Sequence, residues 1–207
     1  MTKVKICGLM EKEHVEIAVS AGADAIGFVF APSKRKVTIE KAQELAKDVP
    51  PGIWKIGVFV NPTKEELITA IQEVPLDYIQ YHGQETPEFV LTNNLPSIKA
   101  LSVHNEEDVL QAKKYETDFY LFDAPGTDYQ GGSGEVFDWQ LMEVNDIPTE
   151  KIILAGGLNP SNVRDAIERV NPYMVDVSSG VERNGGKDKE LIQSFIRAVK
   201  ERGRNNG

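Results

Sequence analysis

The sequence predicts an α/β protein: a (β/α)₈ TIM barrel of eight parallel strands, folded as one compact domain. Three observations carry this expectation. Eight short, apolar, β-branched or aromatic runs alternate with longer helical patterns along the whole chain, as βαβ units require. Dividing 207 residues among eight units leaves about 26 each, the lower range of such barrels, whereas an open doubly wound sheet usually has fewer strands. No Pro/Ser-rich linker or low-complexity tract interrupts the chain, which has the size of one domain.

The runs fall at residues 4–7, 25–30, 54–60, 78–81, 98–101, 119–123, 152–155 and 174–177. After the first, the helical stretch EIAVSA stops at Gly22, which suits the left-handed residue that closes a helix. After the third, Thr63 with Glu66 three residues on forms a capping box, and Pro75 ends the helix that it opens. After the fourth and seventh, Thr86-Pro87 and Asn159-Pro160 each set a cap before a first-turn proline. Pro172 blocks further helix before the eighth run. The domain is expected to span 1–207, with 202–207 a frayed tail.

Composition narrows the function. With 23 Lys+Arg against 32 Asp+Glu the net charge is −9, which opposes non-specific binding to nucleic acid or anionic lipid, so an anionic ligand needs a local site. The single cysteine, Cys7, leaves no internal disulfide and no multi-cysteine zinc site, and fits a reducing, cytoplasmic setting. No apolar stretch reaches the ~20 residues of a membrane span, and the opening MTKVKICG is too short and charged for a signal peptide. The expected partner is a small molecule, with neither nucleic acid nor membrane, and the scattered apolar surface favours a monomer over a homodimer.

Active sites of parallel barrels lie at the carboxyl ends of the strands, so the polar residues just after each run are the candidates. These are Cys7-Gly8, the segment 31–36, Asn61, His82-Gly83, Asp123, Gly156-Gly157 and Ser178-Ser179-Gly180. A lone cysteine is usually a small buried hydrophobe, but strand alternation sets Cys7 on one face with Lys5 and Lys3. If that face is the interior, Lys5 pairs with Asp176 of the adjacent eighth strand and its charge favours the Cys7 thiolate. Asp123 opens a long glycine-rich connection containing GGSG at 131–134, suited to a lid; it serves equally well as a turn cap or as a catalytic acid. The turns AGGLNP and SSG offer backbone N–H groups of Gly156, Gly157, Ser179 and Gly180, with the hydroxyls of Ser178 and Ser179, to an anion. Of Lys34, Arg35 and Lys36 beside the mouth, Arg35 best matches a carboxylate. Among His14, His82 and His104 only His82 follows a strand, and their spacing predicts no metal site.

These motifs occur in order: KICGL at 5–9, GFVF and a basic cluster ending at Arg35, IGVFVN to Asn61, QYHG at 80–83, LFDA with GGSG and FDW, LAGGLNP, and DVSSGVE at 176–182. The set resembles the N-(5′-phosphoribosyl)anthranilate isomerase family over nearly the whole chain. The resemblance implies a (β/α)₈ enzyme of tryptophan biosynthesis that performs an Amadori rearrangement of phosphoribosylanthranilate without cofactor or metal. It implies Cys7 as general base, Asp123 as general acid, Arg35 as the anthranilate-binding arginine, and Gly156, Gly157, Ser179 and Gly180 as phosphate-binding residues; by their places after the strands Ser178 joins the phosphate-binding set and His82 the substrate-binding set. Met10, Lys34, Tyr81 and Ser133 stand where the family more often has Thr, Pro, Leu and Thr. In such chemistry an acid protonates the ribose ring oxygen to open the ring, and a base removes the C2′ proton. The alternatives are another metal-free sugar-phosphate barrel isomerase, of which a related one in histidine biosynthesis uses two aspartates, and a barrel that binds a phosphorylated ligand without turnover.

Overall fold

The computed structural model describes residues 1–124, 138–144 and 146–201; the GGSG segment and the tail 202–207 lie outside them. Eight strands close into a barrel: β1 (Lys3–Cys7), β2 (Ala25–Val29), β3 (Trp54–Phe59), β4 (Tyr78–Tyr81), β5 (Ser97–Ser102), β6 (Phe119–Asp123), β7 (Ile152–Leu154) and β8 (Met174–Val177). All neighbours are parallel, and β8 returns to β1 with Lys5 opposite Asp176. The helices outside are α1 (Lys12–Ala21), α2 (Ile39–Ala46), α3 (Lys64–Glu73), α4 (Pro87–Val90), α5 (Glu106–Gln111), α6 (Val163–Val170) and α7 (Lys189–Lys200). Between β6 and β7 the described residues form 3₁₀ turns, Trp139–Val144 and Thr149–Lys151, in place of an α-helix. A short hairpin, β9 (Glu182–Arg183) and β10 (Gly186–Lys187), stands on the mouth after β8. No described helix is long and apolar enough to cross a membrane.

The predicted punctuation is largely present. Gly22 ends α1 at φ 97°, Thr63 and Glu66 form both halves of the capping box of α3, and Thr86 caps α4 with Pro87 in its first turn. Asn159-Pro160 differs from expectation: the Asn159 side chain holds Ser161 in a separate turn, and α6 starts only at Val163 after Asn162. Asn159 is the better partner for its own turn, so the proline belongs to the approach and not to the helix. Phe30, Val60 and Ala155 fall just beyond strands that were expected to include them.

Alternation divides the apolar residues into two layers. Val4, Ile6, Ile26, Phe28, Ile79, Phe122, Val175 and Val177 face outward and form the main core beneath the helices. Ala25, Ile56, Ile98, Leu121, Ile153 and Met174 fill the barrel. Below them Trp54, Tyr78, Phe119 and Tyr173 pack with centroids 4.5–6.0 Å apart, and the Lys3 ammonium sits 4.6 Å from the Trp54 ring. Tyr81, unusual for the resembled family, points outward, receives a 2.6 Å hydrogen bond from Asn93 and meets Phe89 edge-on.

An aspartate clasp repeats at the foot of the barrel. Asp24, Asp77 and Asp118 precede β2, β4 and β6, and their carboxylates accept from the backbone N–H of Val4, Lys55 and Ser97 at 2.8, 2.7 and 2.8 Å. Each aspartate N–H donates back to the carbonyl of the same residue. The clasp fixes where β1, β3 and β5 start and hence their register. Asp118→Ala strands the Ser97 N–H and is expected to lower unfolding stability by about 1–2 kcal/mol, while Asp118→Asn, which keeps an acceptor, costs less. Urea denaturation of the two variants measures the contrast.

Candidate active site

The strands deliver their side chains to the mouth by alternation. On β1 the inward set is Lys5 and then Cys7; on β4 Gln80, followed by His82 just past the strand; on β6 Asp123. A pocket spanning about 770 Å³, part of it open solvent, lies there. Cys7, Arg35, His82, Asp123, Gly156, Gly157, Ser178, Ser179 and Gly180, the sequence-derived candidates, all line it, together with Gln80 and Asp176. Asn61 lies outside this cavity: its Oδ1 accepts from the Gln84 N–H and its φ is 47°, so it shapes a turn.

Lys5 is fully buried and donates to Asp176 Oδ2 at 2.8 Å and to Gln80 Oε1 at 2.6 Å. The expected Lys5–Asp176 pair is therefore present. Burial works against the ammonium, but Asp176 and Cys7 outweigh it and hold Lys5 above its ordinary value. For Cys7 the balance differs. Burial pushes the thiol up and Lys5, the next largest influence, pulls it down without prevailing. The lysine favours the thiolate in direction, as expected, yet desolvation wins.

Gly27 makes room for this pair. A Cβ there would stand 2.8 Å from Cys7 Sγ and 3.1 Å from Lys5 Cε, so β2 contributes empty space where β1 contributes two side chains. Opposite, Gln80 Nε2 lies 3.0 Å from His82 Nδ1, and His82 Nε2 lies 3.4 Å from Asp123 Oδ2.

A second buried network joins the β8 end to the hairpin. Arg35 grips Glu182 through Nε (2.6 Å) and Nη2 (3.1 Å), and Lys187 donates to Glu182 (2.9 Å) and to the Ser178 carbonyl (2.8 Å). Ser178 Oγ in turn donates to the Cys7 carbonyl at 3.2 Å. Burial would raise the Glu182 carboxyl, but the Arg35 and Lys187 contacts bring it down to about 2. Exposed Lys34 adds a further contact to Glu182, while Lys36 donates its N–H to the Ser33 carbonyl and forms a strand-like bridge with Val29.

The two small turns approach from β7 and β8. Gly156 and Gly157 have φ of 81° and 62°, and the N–H of neither is hydrogen-bonded to a described backbone carbonyl. A Cβ on Gly156 would meet the Ala124 nitrogen at 2.3 Å, and one on Gly180 the Leu158 carbonyl oxygen at 1.8 Å. These glycines are dictated by backbone packing as well as by any ligand. Among the described residues no three His, Cys, Asp or Glu side chains are grouped to hold a metal ion.

A family model described as N-(5'phosphoribosyl)anthranilate (PRA) isomerase matches residues 4–198. The chain belongs to this family. The PRA isomerase of Listeria monocytogenes serotype 4a (strain HCC23) is 51% identical over 197 residues, covering 95% of this chain and 98% of the relative. That of Streptococcus mutans serotype c is 50% identical over 200 residues, covering 97% and 100%. The crystal structure of the PRA isomerase from Thermotoga maritima superposes with a TM-score of 0.86 at 40% identity, over 97% of this chain and 99% of that one. A PRA isomerase crystallised with reduced 1-(o-carboxyphenylamino)-1-deoxyribulose 5-phosphate gives a TM-score of 0.82 at 38% identity, with the same coverage.

Glu182 was quoted only as part of a motif, and Gln80 and Lys187 carried no role in the sequence reading. Two outcomes follow from the networks. Because Glu182 titrates low in the folded protein, its contribution to stability is complete above the ordinary 4.5 and is lost as pH falls toward about 2. Glu182→Gln flattens that part of the stability profile, measured by chemical denaturation at a series of pH values. Replacing both members of the buried pair, Lys5→Met with Asp176→Asn, avoids stranding one charge and is expected to raise the Cys7 thiol further, since Lys5 outweighs Asp176 in its effect on it. The pH dependence of Cys7 alkylation reads this directly.

Proposed function

We propose that this chain converts N-(5-phosphoribosyl)anthranilate to 1-(2-carboxyphenylamino)-1-deoxyribulose 5-phosphate, the reaction of its PRA isomerase family in tryptophan biosynthesis, with Cys7 as general base and Asp123 as general acid. The observation that carries the residue roles is the convergence of Cys7, from β1, and Asp123, from β6, on one cavity whose wall also holds the two glycine turns. Protonation of the ribose ring oxygen by Asp123 breaks the C1′–O bond while the anthranilate nitrogen lone pair forms the C1′=N⁺ double bond, leaving an iminium. Removal of the C2′ proton by the Cys7 thiolate gives the enolamine, which tautomerises to the ketone. The bond changes are internal to the substrate and balance without an oxidant or reductant.

Binding follows from the remaining wall. Gly156, Gly157, Ser179 and Gly180, with Ser178 beside them, receive the phosphate, a localised anion site in a chain of net charge −9. Arg35 receives the anthranilate carboxylate: Glu182 takes two of its five N–H groups and orients the guanidinium plane, and the other three are uncommitted among the described residues. His82 borders the same wall against Asp123. The Cys7 thiol starts high, so the base forms in proportion to how far Lys5 offsets burial.

The unit that acts is one barrel domain, working in the cytoplasm as a monomer. Its described exposed large apolar side chains, Met1, Ile68, Leu91 and Leu110, lie on separate segments of the chain, and scattered apolar residues of this kind need no partner.

The test generates phosphoribosylanthranilate in situ and follows its fluorescence loss. Wild type is expected to turn it over, and Cys7→Ala and Asp123→Asn each to lose ~10²-fold or more in kcat. Full activity in either variant removes that residue from its role; an inactive wild type that still binds substrate analogues favours the non-catalytic alternative.

A further inference from the structure

The direction of hydrogen bonding across the mouth is set by a residue that only donates. Lys5 Nζ lies 2.6 Å from the side-chain end of Gln80. An ammonium has no lone pair, so the Gln80 atom it faces is the carbonyl oxygen, and the amide NH₂ is turned the other way. On that side Gln80 Nε2 lies 3.0 Å from His82 Nδ1. The NH₂ presents hydrogens only, so Nδ1 accepts, and a neutral imidazole then carries its proton on Nε2. His82 Nε2 faces Asp123 Oδ2 at 3.4 Å, long for a hydrogen bond but of defined polarity: N–H toward a carboxyl oxygen. With Oδ2 facing a donor, a proton held by Asp123 belongs on Oδ1.

We infer that Gln80 is a positioning residue for the acid: it passes the donor sense of Lys5 to His82, holds the imidazole in the Nε2–H tautomer, and so determines which oxygen of Asp123 carries the transferable proton. Buried Gln80 is well placed for this, because both ends of its amide are occupied and a flip would set donor against donor at Lys5 and leave the carbonyl facing Nδ1. The other charged groups near the ring are committed elsewhere: Lys5 to Asp176, Lys99 to Glu85 and the Gly83 carbonyl, and His104 across the neighbouring groove to Asp108. Cys7 and Lys114 make no hydrogen bond to His82. A hydrocarbon at position 80 would fill the same space and let the imidazole choose its tautomer freely.

The role of Asp123 rests on the function proposed above; the tautomer is a property of the free protein and is measured without substrate. In protein labelled with ¹⁵N-histidine, with the His82 signals assigned by loss in His82→Gln, long-range ¹H–¹⁵N correlation at neutral pH distinguishes a protonated ring nitrogen from an unprotonated one. Wild type is expected to show one tautomer, protonated at Nε2. Gln80→Leu should give a mixture, and Gln80→Glu, whose carboxylate only accepts, should move the proton to Nδ1. Circular dichroism confirms that each variant is folded; Gln80→Glu keeps the native shape and adds a charge, whereas Gln80→Leu adds none, so a folding defect in one leaves the other informative. In turnover both variants should lose ~10-fold or more in kcat while KM moves ~2-fold or less, the split expected when an interaction of the transition state is lost. A wild-type Nδ1–H tautomer, or a Gln80→Leu protein with unchanged His82 signals and kcat, overturns the inference. Wild type that shows the Nε2–H tautomer but fails to isomerise phosphoribosylanthranilate overturns the proposed reaction and leaves the tautomer assignment supported.

Discussion

A charge without water organises the upper half of this barrel. Lys5 is enclosed on all sides, and an ammonium is stable in such a place only if partners replace its hydration. Asp176 and Gln80 do so from β8 and β4, which means that the strand closing the barrel and the strand across it are both tied to one atom. The register Lys5↔Asp176 at the β1–β8 seam is thus chemical as well as geometric. Below this level the interior is hydrocarbon and aromatic; above it begin Cys7, His82 and Asp123. The polar layer is the floor of the site.

A second commitment of charge gives the site its wall. Glu182 gathers Arg35 and Lys187, and Lys187 reaches back to Ser178, whose hydroxyl touches the backbone of Cys7. The hairpin after β8, which contributes nothing to the barrel sheet, therefore stiffens the loop after β2, one of the glycine turns and the end of β1 together. Lys99 with Glu85 does comparable work on the other side, where Glu85 also accepts from the N–H groups of Asn61 and Gly83. Such pairs add little net stability over an apolar replacement, but breaking one member is costly, so they hold geometry more than they hold the fold.

The fold was legible because strands buried on both faces read as short apolar runs, and each of the eight runs lies on a strand. Their ends were less so: Phe30, Val60 and Ala155 are as apolar as their neighbours, and only the ladder decides where pairing stops. The rule that barrels place chemistry after their strands led to nine of the residues that line the cavity, and strand alternation led to the Lys5–Asp176 pair. What stayed hidden depends on contacts between distant segments. Arg35 and Glu182 are 147 residues apart, Lys5 and Gln80 75 apart, and Lys187 sits in a hairpin that carries no strong pattern. The Cys7 thiol shows the same limit, since charge can be counted from residues but depth cannot. One available signal went unused: a glycine inside a strand, Gly27, marks a neighbour that needs the room.

The aromatic floor formed by Trp54, Tyr78, Phe119 and Tyr173 has a kinetic meaning. With the barrel plugged at that end, the described residues leave the mouth as the way in. Whatever enters must leave by the way it came, and no second molecule can queue behind it from below. Turnover is then a strict alternation of arrival and departure through one opening, and a product that lingers blocks its own successor.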